Sequence, residues 1–372
     1  MATPLKPHKP LVLLAAGGTG GHLFPAEALA GALRARGIEV DLATDERAAR
    51  YAEHFPARQL HVLPADTVRG RSPLALLRTG LALARGLLKG YRLMRELRPA
   101  AVVGFGGYPT VPPLLAATLA GRPTLIHEAN AVMGRANAML AGRVTAIATG
   151  YPDMFGAKPP LAAKAHHTGN PVRPAVIEAV APYEVSEEGA PFQLVVFGGS
   201  QGARVMSDIV PPAIALLPPV LRERLRISQQ ARPEDSGAVR EIYAKLGVRA
   251  EVAPFFRDLP LRMSHAHLVI ARSGASTVAE LCVIGRPSVL VPLPGAIDQD
   301  QLANATALTK AGGAMLARQS GFTPDSLAEI LTALMRSPAQ LSGMAQKAQA
   351  MGRADAAARL ADLVIRTAGI QV

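Results

Sequence analysis

Twice in this chain a short apolar run breaks into a glycine-rich turn and then into a stretch of helical length. The two segments are LVLLAAGGTGGHLFPAEALA at 11–30 and QLVVFGGSQGARVMSDIV at 193–210. A strand that turns sharply at glycines into a helix opens a doubly wound parallel sheet, where ligands bind at the carboxyl ends of strands. Two such units, about half the chain apart, predict two Rossmann-like domains. A length of 372 residues agrees, because domains usually run to about 100–200 residues each.

Other apolar runs alternate with helical stretches as this architecture requires. Ile38 to Ala43, Ala101 to Gly104, Thr124 to His127 and Ala146 to Ala148 read as strands of the first sheet, with a helix from about Pro25 to Arg36. The second sheet takes Phe192 to Phe197, Arg226 to Gln229, His267 to Ala271 and Ser288 to Val291. Residues 150–174 are punctuated by Pro and Gly and close the first half. The expected division is 1–173, 174–354 and a C-terminal segment, 355–372, whose Ala-rich helix from about Asp355 to Arg366 has either domain open to it.

Hydrophobic residues make up 49% of the chain and charged residues 18%, enough to build cores and too apolar for a disordered chain. The single cysteine, Cys282, forms no intrachain disulfide and no zinc cluster, which points to a reducing compartment. The basic start before Leu11 to Ala16 lacks a cleavage pattern and reads as the approach to a strand. Arg78 and Arg85 interrupt the best candidate for a membrane span. A net charge of +12 calls for an anionic partner. Nucleic acid fits poorly, since aromatics are 4%, Trp is absent and no stacking platform appears.

The first turn, Gly17 to His22, has no Lys-Ser/Thr ending of a P-loop, and Leu23 stands where a dinucleotide fingerprint needs its last glycine. Asp45 keeps a ribose contact, and with it a dehydrogenase, in view. What the glycines offer is close backbone approach and amides aimed at an anion or sugar. The alternative is a tight turn without a ligand. His22 follows directly, where an imidazole can take a proton from a substrate hydroxyl. The second turn, Gly198 to Arg204, adds Ser200 and Gln201 and suits a diphosphate. In ARSGASTVAEL, Ser273, Ser276 or Thr277 is placed to cap a helix, and Glu280 stands either as a ribose ligand or as a solvent-facing residue. Asp298-Gln299-Asp300 has the spacing of a divalent-metal motif, but glycine turns and helix N-termini can neutralise phosphate, so no metal and no cofactor is expected.

GGTGGHLFPAEALA, GFGGYPTVPPLLAA, HEANAVMGRAN, TGNPVR, VFGGSQGAR, RSGASTVAELCVIGRPSVLVPLP and DQDQLANA resemble, in this order and spacing, the MurG family of N-acetylglucosaminyltransferases of peptidoglycan synthesis. The resemblance spans nearly the whole chain. It implies an α/β glycosyltransferase-B fold, two Rossmann-like domains facing a central cleft, with the acceptor on the first and UDP-N-acetylglucosamine mainly on the second. It also implies inverting transfer of N-acetylglucosamine to the C4 hydroxyl of lipid I (undecaprenyl-diphospho-N-acetylmuramoyl-pentapeptide), giving lipid II and UDP.

By matching motif, Thr19, Gly20, Gly21, Asn130 and Arg173 are implied on the donor side. So are Ser200 at the diphosphate, Phe256 at the uracil, Ala275, Ser276, Thr277, Val278, Ala279 and Glu280 around the ribose, and Gln301 by the sugar. His22 and Glu128 are both candidates for activating the acceptor hydroxyl. Ala129 stands where the family pattern usually has Gln, which removes a polar contact from the acceptor side. Other UDP-sugar enzymes of this fold, such as a 2-epimerase, and a non-catalytic UDP-sugar-binding protein at a membrane are the rival readings.

Between Arg69 and Arg98 there are eight basic residues against one acid, Glu96. Arg71, Arg78, Arg85 and Arg92 recur every seven residues, which on a helix makes a slowly drifting stripe beside Leu74, Leu77, Leu81, Leu88 and Tyr91. Such a surface is either an ordinary solvated helix face or one that lies on anionic lipid. The glycines at 80, 86 and 90 weaken a single long helix. A lipid-linked acceptor favours the membrane, with Arg71, Leu77, Arg78, Leu81, Arg85, Leu88 and Lys89 as contacts. The implied location is the cytoplasmic face of the inner membrane, in reach of other cell-wall synthesis and division proteins.

Overall fold

The computed structural model describes residues 9–17, 20–46, 55–64, 73–156, 158–295 and 298–371. The chain divides into two compact units, one made of Met1–Arg173 with Asp355–Val372 and the other of Pro174–Ala354.

The first unit holds a seven-stranded sheet in the order β3-β2-β1-β4-β5-β6-β7. Its strands are β1 (Leu11–Ala15), β2 (Glu39–Thr44), β3 (Leu60–Val62), β4 (Ala101–Gly104), β5 (Thr124–Glu128), β6 (Ala146–Thr149) and β7 (Ala165–His167). Every neighbouring pair is parallel. Side chains alternate across a strand, so an apolar run such as LVLLA serves two cores at once. Val12 and Leu14 pack with Leu29 and Leu33 of the Gly20–Arg34 helix. Leu13 and Ala15 pack on the opposite face with Met94, Val111 and Leu114. The C-terminal helix, Ala356–Ala368, buries Leu360, Ala361, Leu363 and Val364 in the first of these cores, and Asp362 pairs with Arg36 at 2.8 Å.

The stretch Pro73–Leu97 forms one 25-residue helix, despite its glycines. Two of them have a packing reason. A Cβ at Gly86 would lie 2.4 Å from the Pro64 carbonyl oxygen, and one at Gly90 would lie 3.1 Å from the Ala116 Cβ. Gly86, Gly90, Leu93 and Met94 form its buried stripe. The close approach of the Val111–Leu119 helix offsets the roughly 1 kcal/mol each glycine costs in helix propensity.

The second unit repeats the plan with six parallel strands in the order β10-β9-β8-β11-β12-β13. They are β8 (Phe192–Phe197), β9 (Leu225–Gln230), β10 (Arg249–Ala253), β11 (Leu268–Ala271), β12 (Ser288–Leu290) and β13 (Ala314–Leu316). Phe192, Leu194 and Val196 meet Met206, Val210 and Ile214 of the Arg204–Ala215 helix and Leu327 and Leu331 of the Pro324–Met335 helix. In each sheet the first strand, β1 or β8, has neighbours reached in opposite directions along the chain. This reversal opens a crevice at its carboxyl end, where both glycine turns emerge.

Candidate functional site

The first helix begins at Gly20, five residues ahead of the expected Pro25, so Gly20, Gly21 and His22 form its opening turn. Pro25 is tolerated there because the carbonyl it deprives of a partner, that of Gly21, sits at the exposed helix start. Thr19 lies outside the described residues.

The His22 Nδ1 is 3.1 Å from the Gly17 carbonyl oxygen. A carbonyl only accepts, so this bond puts the proton on Nδ1 and makes Nε2 the basic nitrogen of the neutral ring. The ring rests on the loop after β4: Cβ atoms at Gly106 and Gly107 would come within 3.3 Å of His22 Nε2 and 3.4 Å of its Cε1. Both glycines have positive φ, 89° and 77°, which admits the turn and the imidazole together. At Gly17 a Cβ would meet Pro109 of the same loop at 2.8 Å. The GFGGYP loop is thus the seat of His22, a role invisible in the sequence because the partners lie far apart along the chain.

Glu128 ends β5 and is 2% exposed. Its Oε1 accepts from the backbone N–H of Asn130 at 3.0 Å and from Asn130 Nδ2 at 3.2 Å. Its Oε2 accepts from the backbone N–H of Gly134 at 3.0 Å and from Asn137 Nδ2 at 2.8 Å. A carboxylate has about four lone-pair sites, and these four bonds fill them. The carboxylate therefore holds the 129–134 loop and the Arg135–Ala141 helix in place. Asn137 also donates to the His127 carbonyl at 3.1 Å, and its Nδ2 would lie 3.6 Å from a Cβ at Gly106. Gly106 thus separates His22 from the Asn137–Glu128 network.

His127 is buried, with Nε2 3.2 Å from the Gly169 carbonyl. Desolvation pushes its pKa down to about 4, with a further lowering from nearby His22, so it stays neutral at ordinary pH. Arg173 stacks over the Phe24 ring at 4.8 Å, on the helix that carries His22. Burial raises the pKa of Glu27 on the same helix, partly offset by Arg173.

In the second unit the turn after β8 is shaped by its glycines. A Cβ at Gly198 would fall 2.3 Å from the Ala203 nitrogen, and Gly199 and Gly202 have φ of 91° and 69°. Ser200 stands exposed at its tip. Gly202 N–H donates to the Gly199 carbonyl at 3.0 Å. The Gly198 N–H donates at 2.9 Å to Gln230 Oε1, a partner that the sequence did not single out.

After β11, Gly274 rather than a hydroxyl residue takes the N-cap of the Ala275–Ile284 helix. Ser273 instead donates from Oγ to the Gln301 carbonyl at 2.8 Å, and Asn304 Nδ2 donates to the Ser273 carbonyl at 3.2 Å. Gln301 Oε1 accepts the Leu293 N–H at 3.0 Å. Thr277 and Ala279 lie in the helix with Val278 and Glu280, and Glu280 is 5% exposed, so it is not a solvent-facing residue. The Ser276 Oγ is buried with no hydrogen-bond partner. Phe256 is buried beneath the Arg262 guanidinium, 4.3 Å from its ring centroid, beside exposed Phe255. Asp300 opens the Asp300–Lys310 helix. Among the described residues, no three His, Cys, Asp or Glu side chains gather as a metal site.

The basic helix presents Arg85, Leu88, Lys89, Tyr91, Arg92 and Arg95 to solvent. Leu88 is 64% exposed, and Lys89 Nζ also donates to the Val62 carbonyl at 2.7 Å. Leu77, Arg78 and Leu81 lie in the first half of the same helix, and Arg71 lies outside the described residues. Among the described residues, no helix is long and apolar enough to cross a membrane.

Residues 12–149 match the glycosyltransferase family 28 N-terminal domain and residues 193–360 its C-terminal domain. The two parallel α/β units are therefore the halves of a glycosyltransferase of the GT-B fold. A Bradyrhizobium sp. (strain BTAi1) protein is 59% identical over 97% of this chain and 99% of its own. One from Nitrobacter winogradskyi is 59% identical over 96% and 98%. Both are named UDP-N-acetylglucosamine--N-acetylmuramyl-(pentapeptide) pyrophosphoryl-undecaprenol N-acetylglucosamine transferase. The crystal structure of Acinetobacter baumannii MurG superposes with a TM-score of 0.79 at 32% identity, covering 96% of this chain and 99% of that one. The chain belongs to the MurG family of glycosyltransferases. A putative UDP-N-acetylglucosamine 2-epimerase from Listeria monocytogenes, at 16% identity, TM-score 0.65 and coverage of 95% and 94%, shares the fold alone.

Proposed function

We propose that this protein transfers N-acetylglucosamine from UDP-N-acetylglucosamine to the C4 hydroxyl of lipid I, with inversion, producing lipid II and UDP. The observation that carries the reaction is 59% identity, over nearly the full length, to transferases named for it. The hydroxyl oxygen attacks C1 of the donor sugar, the C1–O bond to UDP breaks, and UDP leaves with the electron pair.

His22 Nε2 takes the hydroxyl proton, because Nδ1 is held by the Gly17 carbonyl. Glu128 does not, because its four acceptor sites are occupied. A positioned base contributes roughly 10²–10⁴ in rate. The turn around Ser200 and the first turn of the Ala275–Ile284 helix receive the diphosphate charge. The buried Glu280 carboxylate holds the ribose, the unpartnered Ser276 hydroxyl supplies a further contact there, and Phe256 lines the uracil. Gln301 keeps its amide N–H₂ for the sugar, since Oε1 is taken by Leu293. On the first unit, Gly20, Gly21, Asn130 and Arg173 are the donor-side residues that the family resemblance implies.

The exposed Arg85, Leu88, Lys89 and Arg92 of the Pro73–Leu97 helix rest on anionic lipid at the cytoplasmic face of the membrane, each cation contributing about 1 kcal/mol. The deciding assay follows radiolabel from UDP-N-acetylglucosamine into a lipid-extractable product. Label is expected only when lipid I or a short-chain analogue is present. Absence of transfer, or release of N-acetylmannosamine without acceptor, overturns the proposal.

A further inference from the structure

We infer that Gln230 is a positioning residue that locks the diphosphate turn to the base-side loop, so that the two halves of the nucleotide subsite form together. The inference rests on the donor-site reading given above. β9 lies between β8 and β10 in the second sheet. Its last residue is therefore within reach of both flanking loops, strands being about 4.8 Å apart.

Successive strand residues face opposite sides, and the pair Gln229–Gln230 uses both. Gln229 turns into the core, donating to the Met206 carbonyl and accepting from the Tyr243 hydroxyl. Gln230 turns to the loops. Its Oε1 accepts the Gly198 N–H at 2.9 Å, and its Nε2 donates to the Gly199 carbonyl at 2.9 Å and to the Pro254 carbonyl at 3.1 Å. An N–H facing Oε1 and two carbonyls facing Nε2 allow only this orientation of the amide. Both amide hydrogens are spent on the protein, and the residue is only 6% exposed, so Gln230 acts through its neighbours.

Those neighbours are the glycine turn that carries Ser200 and the loop that leads into Phe256. In sequence they are more than fifty residues apart. A ligand that spans both loops gains from their being held in register before it arrives. One that touches a single loop gains little.

The test uses the full chain with Gln230→Met, which keeps length and removes all three bonds, and Gln230→Glu, which keeps the acceptor for Gly198 but sets an oxygen against the Gly199 and Pro254 carbonyls. Both are expected to raise the donor KM and the Kd for UDP at least tenfold, while the acceptor KM stays within twofold and the Kd for uridine within threefold. Hydrogen exchange on the wild type supplies a readout that needs no variant: uridine, which reaches only the base side, should raise protection in peptides covering 198–203 as well as 254–257. Unchanged UDP binding in a folded variant, equal losses for UDP and uridine, or protection confined to 254–257 overturns the role of Gln230. A wild type that binds no UDP instead removes the donor-site reading itself.

Discussion

Glu128→Gln separates a carboxylate that does chemistry from one that builds the site. In the wild type each carboxylate oxygen faces two donors: Asn130 N–H and Nδ2 on one side, Gly134 N–H and Asn137 Nδ2 on the other. A glutamine must turn its own N–H₂ towards one of these pairs, so either orientation sets donors against donors at about 3 Å. Asn137 gains nothing by flipping, because the same Nδ2 serves the His127 carbonyl. Two donors that are buried or part-buried lose their partner, at about 1–3 kcal/mol each, giving roughly 2–6 kcal/mol in all. Urea unfolding followed by circular dichroism should show a fall of that size at pH 7.5. Transfer should drop together with it, as the 129–134 loop loosens. If Glu128→Gln unfolds within about 0.5 kcal/mol of the wild type while losing transfer a thousandfold or more, the carboxylate is the base and the assignment to His22 is wrong.

Four further outcomes are expected. His22→Gln should lower kcat by roughly 10²–10⁴ with little change in donor KM, measured with saturating acceptor analogue; an undiminished kcat would remove His22 from the chemistry. Gly86→Ala should destabilise by about 1–3 kcal/mol through the clash with Pro64, whereas Gly31→Ala, whose Cβ meets nothing within 4 Å, should stabilise by about 0.5–1 kcal/mol; thermal melts distinguish the signs. His127 has a native pKa near 4 against an unfolded value of 6.5. Between those values the unfolded chain binds the extra proton, so stability present above about pH 6.5 falls by about 3 kcal/mol towards pH 4, and His127→Gln should flatten that slope in urea titrations. Arg85→Glu with Arg92→Glu should weaken sedimentation with anionic vesicles by at least tenfold and leave transfer to a water-soluble acceptor analogue unchanged; equal sedimentation would separate this helix from the membrane.

The interior of both sheets was legible in the sequence, and its edges were not. β1, β4, β6, β8, β11 and β12 are covered on both faces, so their sequences are short, mostly apolar runs. β3, β7, β10 and β13 are the four edge strands and carry no such signal. Segments such as LHV, AHH and RAEVA are partly exposed and carry no run to detect. In isolation Pro25 marks a helix start, while here the glycine turn already provides one five residues earlier. The stripe of Gly86 and Gly90 reads as helix-breaking until the Val111–Leu119 helix is seen against it.

By itself the amino-acid order determined the class of fold, the two glycine turns, the basic helix and the residue types on which transfer chemistry depends, since each is written in neighbouring positions. The tertiary structure alone decided how those residues are held. Saturation of Glu128, the seating of His22 on Gly106 and Gly107, and the bridge from Gln230 to Gly198 and Pro254 all join segments distant in sequence. Hydrogen-bond capacity is a property of the three-dimensional neighbourhood: the same carboxylate serves as a base when its lone pairs are open and as a structural tie when four donors fill them.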